Sequence, residues 1–103
     1  TGANALHDAA IGGHTSIVKT LLAHGVKPDD SENAEGMTPL MCAVHALDAD
    51  SVRLLLTHHA NPTARSSKGD TAAELLDTIA QDLWQPEKLR QVEKIRVLLT
   101  PKL

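Results

Sequence analysis

Cys42 and His45 stand three residues apart in "LMCAVHAL", a spacing that sets a thiol and an imidazole on one face of a helix, where both could reach one soft metal ion. A structural zinc site closes with about four such ligands, and the remaining histidines do not supply them. His7 and His14 lie well upstream. His58 and His59 are neighbours whose side chains diverge by about 100° if the segment is helical. Asp8 beside His7, and Asp48 near Asp50, look like dyads only in isolation, because ordinary helical surfaces carry such pairs. The chain has no phosphate-cradling glycine loop, no G-x-S-x-G elbow and no H-E-x-x-H helix. Catalysis, a metal site and a cofactor are therefore not expected.

The charges are arranged more tellingly. Asp29, Asp30, Glu32, Glu35, Asp48 and Asp50 fall between Pro28 and Val52 with no Lys or Arg among them. Eight of the ten basic residues come later, from Arg53 onward. A solvated loop is usually charged, but an acidic edge also attracts a basic segment of a partner protein. The net charge of -3 gives no general reason to bind nucleic acid. The lone cysteine and the lack of any leader-like or membrane-length apolar run lead to the expectation of an intracellular protein that spans no membrane.

The elements that position these residues emerge when the chain is registered on itself. A shift of 34 places Gly2 on Gly36, Leu6 on Leu40, Ala9 on Ala43, Val18 on Val52, Leu21 on Leu55, Leu22 on Leu56, His24 on His58 and Pro28 on Pro62. A shift of 33 then takes Gly36 to Gly69 and Thr38 to Thr71. Each unit opens after a glycine on a helix-capping residue, with Asn4, Thr38 and Thr71 in that role, Pro39 at the first helical position and Glu74 closing a capping box. A second helix follows in "TSIVKTLLAHG" and "DSVRLLLTHH", with Thr15, or Asp50 and Ser51, as expected caps. Gly25 is expected to end the first of these in a left-handed conformation, and His59 takes its place in the second.

"GANALHDAAIGGHTSIVKTLLAHGVKPDD" and "GMTPLMCAVHALDADSVRLLLTHHANPTA" resemble ankyrin repeats, and the resemblance covers nearly the whole chain. It departs at Asn4-Ala5 for Thr-Pro, at Met41 for His, and at "LDAD" for the Gly-His turn, which predicts a less regular second turn. The resemblance implies an all-α helical solenoid of three repeats over residues 1–33, 34–66 and 67–103. By the same resemblance, His7 bonds the backbone of a connecting turn.

The third unit breaks the period. Ala72, Leu75, Leu76, Ile79 and Leu83 recur at helical spacing, Pro86 interrupts, and Leu89, Val92, Ile95, Leu98 and Leu99 resume. Aligning Ile95 on Val52 takes 43 residues, which predicts two helices each lengthened by about five residues, a stretched hairpin that could cap the array. Its tip holds Trp84, the only aromatic side chain, either covering an apolar layer of Ile79, Leu83 and Leu89 or standing exposed as an anchor. Nothing before Gly2 resembles a polar cap, so a piece of a larger protein is expected.

What the family resemblance implies about function is protein binding, through hairpin tips and the exposed side of each first helix. Carried onto this chain, those places are Ala3, Ile11 and Gly12, then Ala34, Glu35, Met37, His45 and Ala46, then Ser67, Lys68 and Asp70. Asp30 and Glu32 join them as the acidic edge, and Trp84 as the anchor of the hairpin tip. Two readings stand: a module that binds a protein or peptide partner, with basic character as one candidate, or an assembly element that packs through the third unit. A small-molecule substrate is not expected in either. More loosely, the acidic stretch before "EGMTPL" and the long final unit are similar to the ankyrin domain of the Tonsoku-like DNA repair scaffold, a histone-tail reader. The Trp and Asn positions of that reader's pattern hold Ala3 or Met37 and Ile11 or His45 here.

Overall fold

The computed structural model describes residues 2–28 and 37–99, with the backbone alone described for residues 2–4. Six helices follow one another: α1 (Gly2–Ile11), α2 (Thr15–Ala23), α3 (Pro39–His45), α4 (Ala49–Thr57), α5 (Ala72–Gln81) and α6 (Pro86–Leu99). There is no strand among the described residues. Consecutive helices pair as hairpins, α1 with α2, α3 with α4 and α5 with α6. The first helices of the pairs stack in one row, α1 on α3 on α5, and the second helices stack in another, α2 on α4 on α6. The fold is the all-α solenoid that the period implies, and among the described residues α3 and α4 are the helices sandwiched on both sides.

The apolar positions of the repeat meet between the two rows. Leu6, Val18, Leu40, Val44, Val52, Leu55, Leu76, Val92 and Ile95 are fully buried, and Leu21, Leu47, Leu54, Ile79, Leu83 and Leu98 pack partly against them. Each such side chain removed from water contributes about 1.5–3 kcal/mol, and these contacts, rather than the marginal propensity of helices this short, hold the elements in place.

Local chemistry sets the helix ends. The Thr38 hydroxyl accepts from the Met41 N–H with Pro39 behind it, and Thr71 and Glu74 form the complete capping box. Other expected caps move. Asn4 lies inside α1, which already runs from Gly2. Residue 14, not Thr15, precedes α2, because the Thr15 hydroxyl donates to Asp48 Oδ2 at 2.6 Å instead of closing its own helix. Asp48, not Asp50 or Ser51, caps α4: its extended backbone turns the carboxylate back to accept from the Ser51 N–H at 3.3 Å and the Ser51 hydroxyl at 2.6 Å. One carboxylate thus ends a helix and ties the first pair to the second.

The turn at Leu47 is a second correction, since it proves as regular as its glycine counterpart. In the first pair Gly13 has φ +70°, and the N–H groups of Gly13 and His14 donate to Ala10 O and Ala9 O. In the second, Leu47 takes φ 55° and the N–H groups of Leu47 and Asp48 donate to Val44 O and Ala43 O. Left-handed backbone costs a branched side chain about 1–2 kcal/mol, which the packing of Leu47 against the core offsets. His59 repeats the substitution at the far end of the pair, with φ 72° where Gly25 has φ 89°. The bonds His59 N–H to Leu56 O and Ala60 N–H to Leu55 O match those from Gly25 and Val26 to Leu22 O and Leu21 O.

The third hairpin is elongated, though unequally. Helix α5 has 10 residues, more than the 7 of α3 but no more than α1, and α6 has 14 against 9 in α2 and α4, so the expected five extra residues appear only in the second helix. Leu83 falls just beyond α5, in the connection that leads through Trp84 to Pro86.

Candidate functional site

The exposed sides of α1, α3 and α5 and the 66–70 connection enclose an open groove of about 580 Å³, lined by Ile11, Met37, Met41, His45, Ser66, Ser67, Lys68, Asp70 and Leu75. The repeat explains why these residues meet. Ile11 and His45 occupy the same position on α1 and α3, one shift of 34 apart, and Met37 and Asp70 both stand one residue before the capping threonine of their unit. Stacking the first helices side by side turns each repeated position into a row across the groove.

The floor is apolar. Ile11 is 40% exposed, while Met41 is buried with one side forming part of the groove wall. Met37 is half-buried and packed against the core, so it is less free than the sequence implies. Its carbonyl is fixed as well, accepting from His7 Nε2 at 3.0 Å across 30 residues of chain. His7 is therefore a buried strut between the first unit and the entry to the second, the role its place in the repeat implies.

The rim is polar. The Gly69 N–H donates to Ser66 O at 2.8 Å with Gly69 at φ +87°, closing a tight turn that carries Ser67 and Lys68 at its tip. The Ser66 N–H donates to Asp70 O at 2.8 Å, and the Asp70 N–H reaches the Ser66 hydroxyl at 3.4 Å, so the turn holds Asp70 at the groove edge. Just behind it, Arg65 bridges Gly69 O at 2.7 Å and Glu74 Oε1 at 3.2 Å. The bond from the Thr71 backbone N–H, then that from its hydroxyl, and the nearby Arg65 guanidinium hold the Glu74 carboxyl below the ordinary glutamate range.

Of the contact residues expected from the sequence, Ile11, Met37, His45, Ser67, Lys68 and Asp70 converge on this one groove. Ala3 lies in the first turn of α1, and Gly12 and Ala46 just beyond α1 and α3. Asp30, Glu32, Ala34 and Glu35 lie outside the described residues. Trp84 stands apart from the groove and is 79% exposed, which excludes the reading in which its ring covers an apolar layer. Leu89, which was to be part of that layer, is itself 37% exposed. Met41, Ser66 and Leu75 line the groove without having been singled out as contacts. Met41 replaces the repeat's histidine one turn before His45, and that substitution was the available signal. Cys42 is buried and His45 exposed. Among the described residues no group of three or more His, Cys, Asp or Glu could hold a metal ion.

The family model described as ankyrin repeats (3 copies) matches residues 1–66. The chain belongs to the ankyrin-repeat family. Ankyrin repeats are generally protein–protein interaction modules and not catalysts. Regulatory protein NPR5 of Arabidopsis thaliana is 35% identical over 79 residues, covering 76% of this chain and 16% of the plant protein. BCL-6 corepressor-like protein 1 of Homo sapiens is 36% identical over 74 residues, covering 72% of this chain and 4% of its own length. The chain thus spans about a sixth or less of these relatives. The ankyrin domain of AnkB from Legionella pneumophila superposes with a TM-score of 0.80 at 21% identity, covering 99% of this chain and 94% of that one, which shows the shared ankyrin fold. The looser similarity to the Tonsoku-like scaffold is not shown by these comparisons, which point to regulatory and corepressor ankyrin proteins instead.

Proposed function

We propose that this ankyrin-repeat chain is a non-catalytic interaction module that binds a segment of a partner protein in the groove between the first-helix row and the 66–70 turn. The observation that carries this reading is the groove itself: an apolar floor open to water, with a polar rim held by backbone bonds. Apolar floors with polar rims are how proteins bury a partner's anchor residues while excluding water. The acidic residues Asp30, Glu32 and Glu35, which precede Met37 in the chain, belong to this reading as an electrostatic edge that speeds encounter. The proposed units are residues 1–33, 34–66 and 67–103, in an intracellular protein. No helix among the described residues is long and apolar enough to cross a membrane.

The exposed Trp84 favours a second reading, in which the tip of the third hairpin docks on another domain or subunit. Affinity capture with three forms of the chain separates the two. Proteins retained by the original chain and by Trp84→Ala, but lost with Ile11→Glu, support the groove. The reverse pattern supports the hairpin tip and overturns the groove. Both side chains are exposed, so neither substitution should shift the melting temperature by more than a degree or two.

A further inference from the structure

Resting on the reading of the groove as a docking site, we propose that its occupant is an extended peptide segment that seats a large apolar side chain on Ile11, Met37, Met41 and Leu75 and pairs a neighbouring Lys or Arg with Asp70. The groove runs across the first-helix row from α1 to α5. Neighbouring helices pack about 8–10 Å apart, so this span of roughly 20 Å is covered by about six residues of extended chain at about 3.3 Å each. Two methionines give the floor flexible, polarizable walls, which accept an unbranched or aromatic side chain more readily than a rigid aliphatic pocket would.

The charge preference follows from which rim groups lack partners. The Asp70 backbone is bonded at both its N–H and its carbonyl, but its carboxylate has no hydrogen-bond or ion-pair partner among the described residues. It is half-buried at the groove edge, where water solvates it less fully than an exposed acid. Lys68 differs: its side chain is exposed at the tip of the turn, where its ammonium keeps its water. Glu74 is already bonded by Arg65 and Thr71. The unsatisfied charge beside the apolar floor is therefore negative, in a chain of net charge -3, and a cationic side chain completes it.

The test is selection of phage-displayed random dodecapeptides on the full chain, followed by titration of a synthetic peptide of the selected consensus. The expected consensus is a large apolar residue with Lys or Arg within about two positions. Its affinity should fall roughly tenfold in Asp70→Asn, the scale of one charge-assisted hydrogen bond, and be unchanged in Glu93→Gln, the same loss of charge on the exposed face of α6 away from the groove. Ile11→Glu should abolish binding. A consensus that is acidic, or lacks a basic residue, overturns the proposal while leaving the groove as a docking site, as does equal affinity for Asp70→Asn. Failure to enrich any peptide over the Ile11→Glu chain overturns the proposal, and the capture experiment then decides the groove reading by itself.

Discussion

Leu6 and Leu40 hold the same place in successive units, as do Ala10 and Val44, and all four are at most 1% exposed. The corresponding positions of the third unit are Ala73 and Asp77, both exposed, and Asp77 accepts from Arg96 across the hairpin at 2.6 Å. The difference shows that burial in this fold belongs to having a neighbour on that side and not to the helix pair itself. The outer side of α5, free of a neighbour among the described residues, has lost the large apolar residues and gained an ion pair. The tip of the third hairpin leaves Trp84 in water.

The comparison can be broken most directly at Leu55 and Leu98, which occupy equivalent positions in α4 and α6. Leu55 is fully buried and Leu98 only partly. Leu55→Ala is expected to cost about 2–5 kcal/mol and Leu98→Ala about 1 kcal/mol in urea denaturation. Equal losses would mean that the third hairpin is packed as tightly as the sandwiched pair.

A smaller contrast concerns the helix caps. Thr71→Ala removes a cap confined to its own helix and should cost about 1 kcal/mol. Asp48→Ala removes a cap that also takes the Thr15 hydroxyl of the preceding pair and the buried Ser51 hydroxyl, so about 2 kcal/mol is expected. Thermal melts giving Asp48→Ala no more effect than Thr71→Ala would remove the inter-pair bond from the account.

The smallest effect is the pH dependence of the third unit's cap. Because the folded pKa of Glu74 is depressed, its contribution is complete above the unfolded value of about 4.3 and is lost as the pH falls through the lower folded value. Glu74→Gln keeps the capping-box geometry and removes that titration. Its melting temperature should fall less steeply than that of the original chain below about pH 4.3. Parallel acid limbs would sink the assignment.

Much of this was legible because it is local. Thr38 before Pro39, Thr71 with Glu74, Gly25 after "LLAH" and Pro86 after Trp84 each act on backbone groups within a few residues, so the chemistry that ends a helix is written beside it. Asp48 was missed as a cap because Thr15 and Ser51 both compete for its carboxylate, and one of them lies 33 residues away. In the groove, Ile11, His45 and Asp70 could be placed by the period. Met41 was signalled only by standing where the repeat has histidine, and Leu75 reads equally as core; only the gap beside the 66–70 turn leaves a side of each in the wall.

By itself the sequence determined the period, the pairing of helices and the side of each helix that turns inward, because apolar spacing and capping residues act within one unit whatever surrounds it. It also pointed to the left-handed position of His59, which stands where Gly25 stands one period earlier, whereas the equally regular turn at Leu47 appeared only in the structure. The tertiary structure alone decided which apolar residues stay in reach of water. Met41 is buried yet lines a groove, and Trp84, the largest side chain in the molecule, is left 79% exposed. Exclusion of water depends on what stacks alongside a residue in space, and that neighbour comes from another turn of the solenoid.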